Sequence, residues 1–291
     1  MTDLEEAGGP APSAGGSGGG RLVLCPTPIG NLSDCSPRVA RELLAAELVL
    51  CEDTRRTGKL LAHLAAEAGV GERPPMRSLH DHNERRQLTD LVARLQAGAQ
   101  IALCSDAGTP LVSDPGFALV RACIAAGVTI VSLPGPSAVL VALSVSGLPS
   151  DRWRFIGFPP RKGDALTGAL LSAETTVAFE APGRVAGTLA AIAAVDPQRE
   201  VVVARELTKL HEEIVRGTAA ELAERYAQGP PKGEVTLVVA GAVADVNDDA
   251  AIEAAERLVH AGARVKDAAA VVAELTGARP NALYKALLAR R

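Results

Sequence analysis

From Arg21 onward the chain alternates between short apolar runs and longer stretches with helical spacing. The runs are Leu22–Cys25, Leu48–Cys51, Ile101–Cys104 and Val128–Leu133, with a weaker one at Met76–Leu79. Helical patterns lie between them over Ser36–Ala46, Thr57–Ala68, Glu84–Ala97 and Pro115–Ala126. Strands separated by helices of about 10–15 residues build βαβ units and a mainly parallel sheet. Local punctuation agrees. Asp34 and Ser36 offer caps ahead of Pro37, and proline suits a first helical turn. Gly98 and Gly127 stand where helices should stop. Asp114 before Pro115 reads as an N-cap followed by a first-position proline.

Leu133–Ser137 (LPGPS) breaks this pattern and predicts a hinge or binding loop. A helix is expected over Ser137–Gly147. Strands follow at Trp153–Phe155, Thr176–Phe179, Glu200–Ala204, Glu212–Arg216 and Val235–Ala240, with helices at Pro182–Ala194 and Thr218–Gln228. The last strands are adjacent in sequence, so this second sheet should be mixed. Three short helical patterns close the chain: Ala251–Ala261, Val265–Leu275 and Pro280–Leu288, broken at Gly262 and Gly277. Short helices joined by glycine turns have the shape of a helix-turn-helix. The expected fold is α/β, with two α/β domains over residues 21–135 and 136–243. A helical extension over 250–291 follows, and residues 1–20 form a disordered glycine-rich tail.

Charge distinguishes the last segment. Residues 250–291 carry seven Lys/Arg against four Asp/Glu, whereas the whole chain has 30 against 34. The chain is therefore no basic nucleic-acid coat, yet it has a local cationic end suited to RNA. Aromatic residues make up 2%, which excludes modules that stack bases on Phe or Tyr platforms. No apolar run approaches the ~20 residues of a membrane-spanning helix. Cys25, Cys35, Cys51, Cys104 and Cys123 are odd in number and show no C-x-x-C spacing. They read as small hydrophobes in a reducing cytoplasm, not as a disulfide frame or a zinc site.

Chemistry-bearing residues gather in loops that follow strands. Pro26–Leu32 (PTPIGNL) has two prolines that fix its backbone and a glycine that permits close approach. It is neither a dinucleotide fingerprint nor a phosphate-binding P-loop. Glu52–Gly58 (EDTRRTG) places two carboxylates beside two guanidiniums. These either cap the next helix through Asp53 or Thr54, or hold a phosphate through Arg55 or Arg56. Leu79–Asn83 (LHDHN) has a His-x-His pair without the further ligands a metal site needs, so no metal is expected. It forms a polar wall for a substrate, or Asn83 simply caps the following helix. Ser105–Gly116 (SDAGTPLVSDPG) presents small residues on which a flat ligand can lie. In a parallel sheet all four loops share the carboxyl edge, where ligands bind.

Read together, PTPIGNL, EDTRRTGKLL, LHDHNE, SDAGTPLVSDPG, LPGPSA, GLPSDRW, ARELTK and KGE resemble one family in order and wording. It is the RNA-modifying branch of the tetrapyrrole methylase superfamily, the ribosomal RNA small subunit methyltransferase I family. The resemblance runs from about Leu22 to Gly241, and the terminal helices resemble the helix-turn-helix extension of many members. It implies two α/β domains with a cofactor cleft between them. It also implies methyl transfer from S-adenosylmethionine to the ribose 2′-hydroxyl of a cytidine in the decoding region of 16S rRNA, within the small ribosomal subunit. Members are cytoplasmic homodimers.

By the same resemblance, Pro28, Asp106, Ala107, Gly108, Thr109, Pro110, Ser137 and Ala138 should contact the cofactor, with Phe179 and Ala204 from the second domain. A ribose hydroxyl is a poor nucleophile and needs a base or polarising group. Glu52, Asp53, His80, Asp81 and His82 are the candidates. Arg55, Arg56, Arg86, Arg205 and Lys209 are candidate phosphate contacts, joined by Arg264, Lys266 and Lys285 on the terminal helices. The competing role for Arg205 is an ion pair with neighbouring Glu206. Two other functions compete: methylation of a tetrapyrrole intermediate, and a non-catalytic ribosome-binding factor.

Overall fold

The structure, a computed structural model, describes residues 19–242, 249–276, 278 and 280–290. The chain divides into two compact units, one ending at Ser137 and the other beginning at Ala138. Most of the tail expected over residues 1–20 lies outside the described residues, as does the break at Gly277.

The first unit is a five-stranded parallel sheet. Its strands are β1 (Arg21–Cys25), β2 (Leu48–Cys51), β3 (Met76–Ser78), β4 (Gln100–Cys104) and β5 (Thr129–Ser132), in the order β3-β2-β4-β1-β5. Four helices cover it: α1 (Pro37–Ala45), α2 (Thr54–Ala68), α3 (Glu84–Gln96) and α4 (Phe117–Ala125). Alternate strand residues face opposite sides, which explains the continuous apolar runs. Val23, Cys25, Val49 and Cys51 join Leu43 of α1 and Leu61 of α2 in one core layer. Leu22, Leu24, Leu48 and Leu50 join Leu91 and Leu95 of α3 and Leu119 of α4 in the other. The helix after β1 therefore lies on one face and the helix after β4 on the other, while β1 and β4 are neighbours. This is a topological switch point, and the crevice outside their carboxyl ends is where an open α/β sheet binds ligands.

Several boundaries differ from the sequence expectation for physical reasons. Helix α2 begins at Thr54 because the Asp53 carboxylate accepts the Arg55 N–H at 2.8 Å. Asp114 is not the cap of α4. The backbone turns left-handed at Leu111 and Ser113, so the N-cap falls at Gly116. Gly116 has no side chain to satisfy the open N–H groups, and buried Glu84 does so instead. Its carboxylate accepts the Leu119 N–H at 2.7 Å. Asn83 stands at the N-cap of α3 but makes no capping bond. Its side chain instead accepts the His80 N–H and donates to the Ser78 carbonyl.

The second unit holds a mixed five-stranded sheet: β6 (Trp153–Phe155), β7 (Thr175–Glu180), β8 (Glu200–Arg205), β9 (Glu213–Thr218) and β10 (Val235–Val239). Its order is β6-β7-β10-β8-β9. Only β6 and β7 pair in parallel. Around it lie α5 (Ala138–Ser146), α6 (Asp164–Leu170), α7 (Val185–Val195) and α8 (Ala219–Ala227). A short 3-10 turn over Pro182–Arg184 leads into α7. Helix α6 was not anticipated; it packs Leu166 and Leu170 into the core with α7 and α8. The chain ends in α9 (Asp249–His260), α10 (Val265–Thr276) and α11 (Pro280–Ala289). These share a small apolar core of their own, built on Ile252, Ala255, Val272, Leu283 and Leu287.

Candidate active site

Three loops of the first unit are stitched into one surface. Thr27 and Gly108 exchange backbone hydrogen bonds, each 2.9 Å, so the loops after β1 and β4 run side by side. The Thr27 hydroxyl donates to the Ser105 carbonyl at 3.1 Å, and the Ser105 hydroxyl donates to the Gly108 carbonyl at 3.0 Å. Gly108 adopts φ +83°, a conformation that favours glycine. The Thr109 hydroxyl donates to the Pro136 carbonyl at 3.0 Å, which fastens the loop after β5. A Cβ placed on Gly135 would lie 2.5 Å from Pro26 Cβ, so this position needs glycine for the loops to touch. Pro28, Ala107, Ser137 and Ala138 are half-buried around this seam.

The loop after β2 joins through Asp106. The Asp106 carboxylate accepts the Asp53 N–H at 2.9 Å and faces the Arg56 guanidinium at 3.7 Å. The loop after β3 joins through the Leu79 N–H, which donates to the Cys51 carbonyl at 2.8 Å. Asn83 and His80 Nε2 are 3.0 Å apart, while His80 Nδ1 is buried without a hydrogen-bond partner. Asp81 and His82 are exposed.

This edge concentrates carboxylates, and their titration reflects it. Burial, then the charges of Asp106 and Asp81, push the Glu52 carboxyl above its usual range; Arg56 and His80 pull it back. Asp114 is pushed up to about 6 by burial and then by Glu52, while a side-chain hydrogen bond with Ser105 opposes the shift. Sequence reasoning assigned Asp114 to a cap, whereas the structure puts it in this carboxylate group. The paired Ser-Asp of SDAGTP and SDPG was the available signal. Asp53 behaves in the opposite way. Side-chain and backbone bonds from Arg55 hold its carboxyl low, so it serves as the α2 cap and is a poor proton acceptor. Among the described residues, no group of three or more His, Cys, Asp or Glu is placed to hold a metal ion.

The second unit has candidates of its own. Phe179, near the end of β7, stacks edge-on with Phe155 and tilts against Phe158. The next residue, Glu180, is fully buried and accepts from Thr188, from Arg184 and from its neighbour's N–H. Ala204 is buried near the end of β8. Arg205 does not pair with Glu206. It meets Glu213 at 2.6 Å across the strand pair, and Lys209 takes Glu206 at 2.8 Å and Glu234 at 3.1 Å. Both cations are committed to internal carboxylates. By contrast, Arg86, Arg264, Lys266 and Lys285 are exposed. Arg55 is exposed but pairs with Asp53.

The tetrapyrrole (corrin/porphyrin) methylase family profile matches residues 21–223. The chain belongs to this family. The RsmI C-terminal HTH domain profile matches residues 246–291. Among curated relatives, the ribosomal RNA small subunit methyltransferase I of Mycobacterium tuberculosis (strain CDC 1551 / Oshkosh) is 46% identical over 278 residues, covering 94% of this chain and 96% of its own. The protein of that name from Escherichia coli O157:H7 is 44% identical, covering 91% and 94%. Solved methylases share the fold at lower identity. Uroporphyrin-III C-methyltransferase from Thermus thermophilus, complexed with S-adenosyl homocysteine, aligns with a TM-score of 0.53 at 19% identity, covering 76% of this chain and 97% of its own. Diphthine synthase aligns with a TM-score of 0.55 at 17% identity, covering 76% and 90%.

Proposed function

We propose that the chain transfers a methyl group from S-adenosylmethionine to the ribose 2′-hydroxyl of a cytidine in the decoding region of 16S rRNA, within the small ribosomal subunit. The observation that carries this reading is the likeness to rRNA methyltransferases over more than nine-tenths of the chain, terminal helices included. The site suits the cofactor. Gly108 lets the loops after β1 and β4 lie close, half-buried Ala107 presents a small surface beside the seam, and the carboxylates of Asp106 and Asp114 favour a cationic sulfonium nearby. Pro28, Asp106–Pro110, Ser137 and Ala138 would hold it. When bound, it supplies an already activated methyl group, so orientation is the main task of the protein.

The chain's own residues then divide the work. Glu52 is exposed at the end of β2, and its raised affinity for protons fits a group that accepts the ribose hydroxyl proton. His80, Asp81 and His82 border the acceptor. Arg55, Arg56 and Arg86 lie on the loops that would meet RNA phosphates. Arg264, Lys266 and Lys285 on the terminal helices supply further cations for phosphates. Among the described residues no helix is long and apolar enough to cross a membrane, and we place the protein in the cytoplasm. We also infer a homodimer; exposed Phe117 and Ile124 on α4 offer apolar surface for such a contact.

The test uses radiolabelled S-adenosylmethionine and small subunits from cells lacking this activity, with a tetrapyrrole precursor run in parallel. Label should enter the subunit RNA. Label on the tetrapyrrole alone would overturn the assignment.

A further inference from the structure

The chain has four phenylalanines, two tyrosines and one tryptophan. Three of the four phenylalanine rings meet at one place in the second unit, where the parallel strands β6 and β7 end. The ring centroids of Phe155 and Phe179 are 5.0 Å apart, and those of Phe158 and Phe179 are 5.7 Å apart. Phe155 and Phe179 are half-buried, whereas Phe158 is 61% exposed. Its ring leans on Phe179 and keeps a broad apolar surface in water. An apolar ring left in water lacks the stabilisation of burial, and a flat partner laid on it restores that stabilisation.

The loop that carries Phe158 is held in place. Its pairing with β7 continues past β6: the Ile156 N–H donates to the Val177 carbonyl at 3.1 Å, and the Phe179 N–H donates to the Gly157 carbonyl at 2.9 Å. Gly157 then turns left-handed at φ +64°, and Pro159 and Pro160 stiffen the backbone that follows. Arg184 clamps this stretch. Its Nη2 donates to the Pro159 carbonyl at 3.1 Å and to the Pro160 carbonyl at 2.9 Å, while its Nε meets the buried Glu180 carboxylate at 3.2 Å. The exposed ring is therefore preorganised, and little ordering is left for a partner to impose. Arg161 and Lys162 follow directly. Both are exposed, and among the described residues neither has a hydrogen-bond or ion-pair partner. In this they differ from Arg205 and Lys209. Asp164, the acid next in sequence, stands in the first turn of α6, where a carboxylate favours the helix N-terminus.

We propose that Phe158 is a stacking platform for an unpaired base of the RNA substrate, with Arg161 and Lys162 on the phosphates that flank it. The proposal rests on the RNA reading above and deepens it. An open ring face beside uncommitted cations suits single-stranded nucleic acid, whose bases stack on aromatic rings and whose backbone meets positive charge. A base within a duplex keeps its own stacking neighbours, so the ring takes an unpaired one. A wholly apolar partner would leave both cations unanswered. The low aromatic content excludes a repeated stacking surface, and one preorganised ring needs no repeat.

Three variants of the full chain test this: Phe158→Ala, Phe158→Trp, and Arg161→Gln combined with Lys162→Gln. Phe158→Ala should raise the KM for small subunits about tenfold. It should weaken binding of oligocytidylate, read by fluorescence anisotropy without any turnover, by a similar factor. Phe158→Trp should restore both, and Tm and the Kd for S-adenosylmethionine should match the wild type. The double variant should make KM less sensitive to salt, with the log–log slope smaller by about 1.4 for two phosphates, whereas Phe158→Ala should leave the slope unchanged. If the wild type methylates RNA and Phe158→Ala changes neither KM nor oligocytidylate binding, the platform is overturned and the RNA reading stands. If the wild type neither methylates RNA nor binds oligocytidylate, the RNA reading falls and takes the platform with it. Failure of Phe158→Trp to restore binding overturns stacking. A fall in Tm for Phe158→Ala with KM unchanged assigns the ring a structural role, and a raised Kd for S-adenosylmethionine assigns it to the cofactor. A smaller particle by light scattering assigns it to a contact between copies of the chain. Each of these three results overturns the proposal.

Discussion

Single residues at the carboxyl edge of the first sheet carry distinct, separable tasks. Glu52 as proton acceptor predicts that Glu52→Gln lowers kcat by about 10²–10⁴-fold and leaves S-adenosylmethionine binding intact. Because the Glu52 carboxyl is raised, the wild-type rate should climb with pH above the ordinary carboxylate range. That limb should vanish in the variant. Asp114 makes a prediction about stability. Its carboxyl binds a proton more tightly in the folded protein, at about 6, than in an unfolded chain, at about 4. Stability therefore falls as pH rises between those values and stays lower above them. Asp114→Asn should raise Tm at pH 7.5, and thermal melts should show the gain gone by pH 4. Little of this was legible beforehand. Asp-Pro before an apolar run is an ordinary capping pattern, and only the left-handed turns at Leu111 and Ser113 carry Asp114 away from that role. Asp53 was legible as a cap because its carboxylate needs only the N–H groups of the next turn, a purely local arrangement.

At the scale of elements, the first sheet was readable because both of its faces are covered. Strands buried on two sides become continuous apolar runs, and LVLC at β1 and β2 leaves no other reading. Helix α6 was not readable, since seven residues over Asp164–Leu170 give too few turns for a period to show. Glu84 was equally hidden: it sits at the start of α3 but serves α4, from 35 positions away in sequence. Glu84→Ala would leave the Leu119 N–H buried without a partner. It should cost about 1–3 kcal/mol in chemical denaturation, with no specific effect on RNA. The glycine seam makes a functional prediction. Gly135→Ala forces the loops after β1 and β5 apart at Pro26. It should weaken S-adenosylmethionine binding by about tenfold or more by calorimetry. A core mutation such as Glu84→Ala should not.

Across the whole molecule, charge is distributed by task. The chain is acidic overall, yet its terminal helices present exposed Arg264, Lys266 and Lys285 on a bundle with its own core. Replacing all three with Glu should leave cofactor binding and Tm near wild type. The KM for small subunits should rise by about tenfold or more, and its salt dependence should weaken. The order of motifs along the chain made the family legible, since the seam and the carboxylate group need those residues at those strand ends. The second-unit ion pairs were less legible, because Arg205–Glu213 and Lys209–Glu234 join residues brought together only by strand pairing and the Gly229–Gly233 loop. The central claim concerns one atom of one nucleotide. Small subunits from cells lacking the activity would be incubated with the protein and S-adenosylmethionine, and their 16S rRNA digested to nucleosides for mass spectrometry. The account predicts new 2′-O-methylcytidine that maps to the decoding region and is absent with Glu52→Gln. A methyl group on a base, or none in RNA while a tetrapyrrole is methylated, would contradict it.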